Sequence, residues 1–583
     1  MKKSPLFLAI LPLIVGGLSG CANSPYQDKI VGIFREKDVV DKQISLRFYS
    51  DMPHVPYIEV NDYYREFFND YLTVYKENSG YYYYYYGGDD DEYLYFDIAK
   101  NSITCSDLNI LSNHKDFVSS TGKLYLQTDK TETTEKTPKT IELNKYNIKL
   151  KEEASRVYAP FSLLSKYFGG ISLYNAVYNG KDIYVLDLNA SLSDFERDTD
   201  YYGKKYTKPL NNLLTRRPKD MAEYTYNELC MVFDNFRGET KQLIFGDEKL
   251  QTLGLDGLLS KYYPEMKEFL LHTNKLKYYK GLFGLFSGLY DGGHTGILTA
   301  FGSLYAAMLL YNKKTQIQDP IKESLLDYDK KDNILVSYND AKARALDIGS
   351  GDYYRYDGET KTSLIGFNEF SVDYTGWDNF YNGRGEIPVN TDAYAFIRDK
   401  LYKARRDGAE NVVIDVTTNG GGNTDALNGI IGLLNHAKSN FIMYDSFTKN
   451  TSTDYYSIDI NLDSKFDEKD VTEADSFNFN VGILTSPYSF SCANLFPSRL
   501  KEMGYKIIGQ QSGGGSCAIS VEATADGISY VRSSHLCLYN EAGENIDGGV
   551  PVDYEIKTPE TSDDGHVDAS NIYNFTELAK AFK

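Results

Sequence analysis

The chain has 583 residues and a formal net charge of −20 at pH 7. This charge argues against a nucleic-acid partner, because binding to phosphate groups requires basic surface patches. The length predicts two to four domains at about 150 residues each. Beyond the first twenty residues, no apolar run is long enough to cross a bilayer, which requires about 20 residues.

The N-terminus has the pattern of a secretory signal. Lys2 and Lys3 precede an almost unbroken apolar run, Leu6 to Leu18, and Ser19-Gly20-Cys21 follows it. The order resembles the signal peptide and lipobox of bacterial lipoproteins. That resemblance implies cleavage before Cys21, lipidation of its thiol, and anchoring to the extracytoplasmic face of a membrane, at the cell surface or in a periplasm.

Five cysteines remain in addition to Cys21. An extracytoplasmic location permits disulfides, but the odd number leaves at least one thiol unpaired. The three late cysteines lack the close paired spacing of zinc ligands. We therefore expect no metal site.

Residues 22–200 alternate short β-rich runs with a few helical ones, which predicts a β-rich α+β module. The uninterrupted run Tyr81 to Tyr86 predicts an aromatic surface hairpin. A carbohydrate- or peptide-binding face is the alternative, as in an adhesin or solute-binding lipoprotein. The segment Thr128 to Thr140 is rich in Thr, Lys and Glu and predicts an exposed hairpin or loop.

Residues 201–355 show apolar positions at helical spacing, which predicts a helical subdomain. The clearest predicted helices cover Met221 to Phe236, Glu248 to Lys261 and Glu265 to Lys275. His294 lies in the glycine-rich turn that follows them, and another apolar helix is predicted from Ile297 to Leu310. On its own, a histidine in such a turn is most simply structural or exposed.

Residues 356–583 alternate strands with helices, which predicts an α/β layer of mostly parallel strands. The run Val412 to Val416 is continuously apolar, as in a strand buried on both faces. Further runs predict a strand at Val481 to Thr485, a helix at Cys492 to Glu502 and a strand at Tyr505 to Ile508.

Two loops follow predicted strands, where open α/β sheets place their sites. The glycines around Gly421 allow backbone N–H groups to approach a ligand closely. Ser491 stands at the start of a predicted helix, where oriented N–H groups stabilise an oxyanion. A helix N-cap explains Ser491 equally well. Cys492 is a rival nucleophile, although core packing is its expected role.

Four segments in order resemble motifs of the S41 peptidases. They are Asp415 to Gly422, Ser489 to Phe496, Ile507 to Gly515, and Gly548 to Asp553. They are similar to the family's Asp-Leu-Arg-x-Asn-x-Gly-Gly, Ser-Ala-x-Glu, Val-Gly-Glu-x-Thr-x-Gly and Gly-Ile-x-Pro-Asp segments. The resemblance implies a ClpP/crotonase-like α/β core with a helical subdomain. It also implies a serine peptidase that hydrolyses peptide or protein substrates without a cofactor.

The chain departs from the processing-protease branch of this family at the catalytic lysine, where Gly515 and Ser516 stand. A Ser–Lys dyad is thereby excluded unless a distant lysine folds in. The tricorn-like branch uses a histidine in a turn similar to Gly293-His294-Thr295. This similarity implies that His294 is the base that activates Ser491.

The remaining roles follow from the same resemblance. Asp547 stands where that branch has an acid, with Glu544 as the competitor, and the acid would orient the imidazole. The N–H groups of Gly421 and Cys492 would form the oxyanion hole. Asn494 replaces the family's glutamate. These departures leave a catalytically inactive S41-like lipoprotein that binds a peptide or ligand as the alternative.

Overall fold

The computed structural model describes residues 25–36, 39–68, 71–78, 80–85, 93–106, 123–134, 137–168, 174–187, 212–298, 317–349, 351–559, 562 and 564–583. The predicted signal peptide and Cys21 lie outside this set. None of the helices in these ranges is both long and apolar enough to span a membrane.

In the described ranges, the N-terminal part is β-rich with two short α-helices, as predicted. Its elements are β1 (Tyr26–Glu36), β2 (Val39–Tyr49), β3 (Met52–Glu59), α1 (Val60–Phe68), β4 (Thr73–Asn78), β5 (Tyr81–Tyr85), β6 (Tyr93–Asp97), β7 (Ser102–Cys105), β8 (Leu126–Thr133), β9 (Lys139–Glu142), β10 (Lys151–Glu153), β11 (Arg156–Pro160), α2 (Phe161–Phe168), β12 (Tyr174–Tyr178) and β13 (Ile183–Asp187). One sheet has the order β10-β11-β3-β2-β1-β13-β12 and another β4-β5-β6-β7-β9.

The tyrosine run forms β5, which pairs antiparallel with β4 and β6. Tyr82 and Tyr84 are fully buried, whereas Tyr81, Tyr83 and Tyr85 remain partly exposed. This alternation follows from the two-residue side-chain period of a strand. The predicted aromatic β structure is therefore confirmed, but the run is an interior strand of a five-stranded sheet rather than a surface hairpin.

The segment predicted as an exposed hairpin or loop, Thr128 to Thr140, needs correction. Its first part belongs to β8, which pairs antiparallel with β19 (Thr451–Ile458) in a sheet of the C-terminal part. The prediction failed because β8 is an edge strand whose polar side chains are almost all exposed. Hence the module predicted at 22–200 contributes one strand to the C-terminal part of the chain.

The middle of the chain is helical, as predicted. Its elements are α3 (Lys219–Asn235), α4 (Asp247–Tyr262), α5 (Pro264–Leu270), α6 (Lys275–Gly288), β14 (Gly296–Ile297) and α7 (Gln318–Leu346). Ile297, predicted to begin a helix, instead pairs with Tyr530 of β23 (Ser529–Leu538). Most of that predicted helix lies outside the described residues.

The C-terminal part carries the predicted α/β layer. Its elements are β15 (Tyr353–Asp357), β16 (Thr362–Gly366), α8 (Tyr374–Tyr381), α9 (Ala393–Asp407), β17 (Asn411–Asp415), α10 (Thr424–Leu434), β18 (Lys438–Asp445), β19, α11 (Glu468–Asp475), β20 (Asn480–Thr485), α12 (Cys492–Glu502), β21 (Lys506–Gly509), β22 (Cys517–Ala523), β23, β24 (Tyr554–Glu555) and α13 (Phe575–Lys580).

The central sheet has the order β15-β16-β17-β20-β21-β24, and every pair except β15–β16 is parallel. Val412 and Ile414 of β17 face one apolar cluster, and Val413 faces another. Because both faces are covered, the strand has no polar alternation, as its sequence predicted. The carboxyl ends of β17 and β20 lie side by side and position the two loops described next.

Candidate active site

Ser491 occupies the sharp turn between β20 and α12. Its backbone has φ 55° and ψ −122°, and its side chain makes no capping hydrogen bond. Its N–H donates to the carbonyl of Gly514 at 2.9 Å. A non-glycine residue at positive φ costs about 1–3 kcal/mol, so the surroundings must hold it there. Ser491 is the N-cap residue of α12 by position, since its carbonyl accepts the N–H of Leu495 at 2.9 Å, but its hydroxyl does not cap the helix.

Two hydrogen bonds attach the serine turn to the residues that follow β17. The hydroxyl of Ser489 donates to the carbonyl of Val416 at 2.8 Å. The hydroxyl of Ser486 donates to the backbone carbonyl of Thr417 at 2.6 Å. All four residues are buried. These bonds offset part of the backbone strain at the neighbouring serine.

The glycine loop lies against Ser491. A Cβ on Gly421 would lie 2.7 Å from the Cβ of Ser491, so only glycine allows this approach. However, the N–H of Gly421 donates to the side-chain carbonyl of Asn419 at 2.8 Å. This N–H, which the motif resemblance assigns to the oxyanion hole, is therefore engaged by Asn419 in the unliganded protein.

Cys492 follows the serine at the first position of α12. Its N–H donates to no acceptor among the described residues, which leaves it available as an oxyanion donor. Its thiol is buried and donates to the carbonyl of Gly422 at 3.1 Å. Burial raises the pKa of this thiol to about 12, so it stays protonated at neutral pH. The expected packing role of the Cys492 side chain is confirmed.

The turn that carries His294 packs against the serine turn. The rings of His294 and Phe490 meet edge to face with centroids 4.7 Å apart. One carboxylate oxygen of Asp291 accepts the N–H groups of His294 at 3.1 Å and Thr295 at 2.9 Å. In the described part of the chain, no hydrogen bond joins the His294 ring to Ser491 itself.

The environment of His294 favours a neutral imidazole. Desolvation lowers its pKa below the ordinary value, and the ammonium of Lys331 lowers it further. The carboxylates of Asp291 and Asp547 act in the opposite direction. A histidine must be neutral to accept a proton, so this balance suits a general base.

Two buried carboxylates lie near His294, and their hydrogen bonds differ. Asp291 accepts four: the two N–H groups of its own turn and the hydroxyls of Thr295 at 2.7 Å and Ser533 at 2.6 Å. Asp547 accepts the N–H groups of Ser516 at 3.0 Å and Lys241 at 2.5 Å. A carboxylate has about four acceptor positions. Asp291 already accepts about as many hydrogen bonds as a carboxylate can, whereas the carboxylate of Asp547 can still accept one from an imidazole N–H.

Glu544, the competing acid, lies in an exposed turn. Its carboxylate accepts from the side-chain amide of Asn540 at 3.1 Å, and its N–H donates back to the same side chain at 2.7 Å. The structure thus brings Asp547 to the histidine turn and leaves Glu544 on the surface.

Several polar residues that the motifs did not single out complete the surroundings. Gln242 donates to the carbonyls of Gly513 at 2.8 Å and Asp547 at 3.2 Å. Lys331 of α7 donates to the carbonyl of Gly292 at 2.6 Å. A distant lysine therefore does fold in, but it binds the histidine turn. Both residues lie in polar sequence with no local signal of this contact.

Asn494 replaces the glutamate of the S41 motif and is fully buried in α12. Its amide donates to the carbonyl of Ile546 at 3.0 Å, and its oxygen accepts the hydroxyl of Ser512 at 2.6 Å. Asn494 thereby ties the helix that follows the serine to the segment that carries Asp547.

Within the described ranges, no three His, Cys, Asp or Glu side chains are grouped as a metal ion would require.

Residues 373–556 match the model of peptidase family S41. They make up about a third of the chain and contain the serine turn and the Asp547 segment. The S41 resemblance predicted from the motifs is thereby confirmed, and it supports a peptidase function. No curated protein is significantly similar in sequence to this chain.

The similar solved structures have low sequence identity to this chain. They include a putative peptidase from Parabacteroides merdae at 15% identity, covering 43% of this chain and 79% of that chain with TM-score 0.29. The photosystem II D1 C-terminal processing protease has 15% identity, 39% and 55% coverage and TM-score 0.27. A lipoprotein from Streptococcus agalactiae has 13% identity, 48% and 91% coverage and TM-score 0.25. Similarity this weak does not bear on function.

The backbone of Ser491 makes a testable prediction about stability. We expect Ser491→Gly to have a free energy of unfolding about 1 kcal/mol higher than Ser491→Ala, because glycine adopts positive φ without a Cβ penalty. Denaturant titration of both variants measures the difference. At the control position Ser476, where φ is −68°, glycine should not be the more stable variant. Equal stability of the two Ser491 variants would contradict the strained geometry.

The electrostatics of His294 predict its titration. Its pKa should lie below the ordinary value of about 6.5, and Lys331→Met should raise it, because the ammonium that disfavours the imidazolium is removed. NMR titration with histidine-selective labelling, assigned with His294→Gln, measures both. Lys330 precedes Lys331 and is exposed, so the control variant Lys330→Met should leave the pKa of His294 unchanged. A His294 pKa above 6.5, or one that Lys331→Met does not change, would contradict this account of the imidazole's surroundings.

Proposed function

We propose that the protein is a serine peptidase in which Ser491 is the nucleophile and His294 the general base. The observation that carries the proposal is the backbone of Ser491, held at positive φ between a buried strand and a helix, with no capping bond. Non-glycine residues in such conformations cluster at active sites. A serine on a strained strand-to-helix turn is also how hydrolases expose a nucleophilic hydroxyl.

The chemistry is acyl transfer. His294 accepts the proton of Ser491 as its oxygen attacks a peptide carbonyl, and later returns a proton to the leaving amine. Asp547 holds the imidazole in the required tautomer and stabilises the imidazolium that forms. Water then hydrolyses the acyl-enzyme. The absence of a Ser491–His294 hydrogen bond in the unliganded protein is compatible with this role, because catalytic hydrogen bonds often tighten only with substrate.

The oxyanion of the tetrahedral intermediate is stabilised first by the N–H of Cys492, at the positive end of α12. A second donor has to come from the adjacent glycine loop. Supplying it from Gly421 requires the Asn419 side chain to release that N–H. A donor of this kind contributes roughly 3 kcal/mol to lowering the barrier, so this release would be a substantial part of catalysis.

The location and organisation are part of the proposal. The N-terminal pattern supports lipidation at Cys21 and action on peptides or proteins at the extracytoplasmic face of a membrane. We divide the chain into the module at 22–200, the helical subdomain at 201–355 that supplies the histidine, and the core at 356–583 that supplies the serine. Strand β8 of the first module pairs with β19 of the core.

As a second candidate function, the protein is catalytically inactive and binds peptides at the same site, beside Ser491 and His294. The engaged N–H of Gly421 favours it, because an oxyanion hole lacking this donor would be incomplete. The two functions make opposite predictions about covalent reactivity.

For the peptidase, we expect a fluorophosphonate to label the folded protein at Ser491. Ser491→Ala should abolish labelling, and His294→Ala should slow it by about 100-fold or more, since a general base contributes that much. Mass spectrometry locates the adduct and rate measurements give the decrease.

Prior treatment with iodoacetamide is the control for Cys492. Its thiol is buried and protonated, so labelling should be unchanged. Absence of labelling in a folded sample would favour the inactive binding protein, and labelling that survives Ser491→Ala would exclude Ser491 as the nucleophile.

A further inference from the structure

A cavity of about 590 Å³ lies away from the serine and histidine turns. Four parts of the chain line it: the seven-stranded N-terminal sheet, the segment 216–221 that leads into α3, the start of α6, and the turn between β22 and β23. The volume falls within the range of about 300–1,000 Å³ that is usual for small-molecule sites, and such sites favour junctions between structural units. The cavity does not belong to the candidate active site and its use does not depend on the proposed peptidase function.

The charge of the lining is opposite to that of the whole protein. Five lysine and arginine side chains line the cavity, against two carboxylates, Asp28 and Asp526. Each carboxylate already binds an arginine: Asp28 pairs with Arg47 at 2.8 Å, and Asp526 pairs with Arg217 at 2.7 Å. In a protein of net charge −20, this surplus of cations is a local feature that favours an anion.

Of the three lysines of the lining, Lys181 pairs with Asp182 at 3.2 Å, whereas Lys29 and Lys275 donate hydrogen bonds to neutral oxygens. Lys29 donates to the hydroxyl of Tyr178 at 3.3 Å, and Lys275 donates to the carbonyl of Asn212 at 3.2 Å. Burial lowers the pKa of Lys275, and the nearby Arg217 adds to this effect while Asp526 opposes it. An anion in the cavity would stabilise both ammonium groups.

Arg217 links the charged and aromatic parts of the lining. Its guanidinium lies 3.3 Å from the ring centroid of Tyr278, and the Tyr278 hydroxyl donates to Asp526 at 2.9 Å. The side chain of Arg217 is 3% exposed, and its Nη2 finds no acceptor among the described residues. A buried guanidinium N–H without an acceptor is costly, which makes an added anionic group favourable nearby.

The remaining lining is largely aromatic and apolar, and includes Phe48, Met221, Tyr279 and Ile528. These side chains can cover an apolar body but offer few hydrogen bonds to a sugar or another polar molecule. We propose that this cavity binds a small organic anion, a carboxylate or phosphate carried on an apolar or aromatic body.

Isothermal titration calorimetry of the full-length protein tests the proposal with three probes of similar shape. They are 4-phenylbutyrate, its neutral amide 4-phenylbutyramide, and 2-phenylethyl phosphate. We expect one molecule of carboxylate or phosphate to bind per chain, with the amide about tenfold weaker, because the charged hydrogen bonds are lost. The tighter of the two anions identifies the head group.

Variants on one helix locate the site. Lys275→Met should weaken binding of the anion about tenfold, whereas Lys277→Met, two residues along and paired with Glu268, should not. Lys29→Met, on β1, should also weaken binding of the anion. This variant tests the same prediction if Lys275→Met does not fold. Equal affinity for the amide, no binding of any probe, or unchanged binding in the folded lining variants would overturn the proposal.

Discussion

The hydrogen bonds of the Asp291 carboxylate hold the two halves of the candidate site together. His294 and Ser491 come from distant parts of the sequence and from different structural layers. Asp291 shapes the histidine turn through two backbone N–H groups and receives the hydroxyl of Ser533 from β23. Because β23 is a strand of the C-terminal part, this side chain attaches the turn of the helical region to the core, next to the backbone pairing of β14 with β23. Losing it would remove the side-chain hydrogen bonds that shape the turn carrying the base.

The serine turn shows the complementary constraint, a strained backbone supported by its neighbours. Positive φ at Ser491 costs free energy, and the buried hydroxyls of Ser486 and Ser489 return part of it. Gly421 adds the space that the serine needs. A sequence selected only for stability would place glycine at the serine position, so retaining serine there is consistent with selection for chemistry.

Much of the fold was predictable because it depends on local patterns. The buried strand β17 has no polar alternation, and α12 begins at the predicted residue, Cys492. The edge strand β8 was missed because its partner supplies the pairing while its own polar side chains remain exposed. Ile297 was misassigned because its apolar neighbours fit a helix as well as a strand, and only β23 decides between them.

The candidate site was predictable only where residues belong to motifs in the sequence. Ordered motifs indicated Ser491, His294 and Asp547, but no periodicity relates Lys331 or Gln242 to the turns that they contact. Asn494 had no interpretable role until its partners, Ile546 and Ser512, were known. The hydrogen bond from the N–H of Gly421 could not be predicted from the sequence either, because it depends on the side-chain orientation of Asn419.

The most direct test of the central claim is a crystal structure of the protein with a peptide boronic acid. We expect boron bonded to the Ser491 oxygen, and one boronate oxygen about 3 Å from the N–H of Cys492. A ring nitrogen of His294 should lie about 2.6–3.2 Å from the serine or boronate oxygen. An unreacted Ser491 in a peptide-filled cleft, or an imidazole turned away from the adduct, would contradict the account.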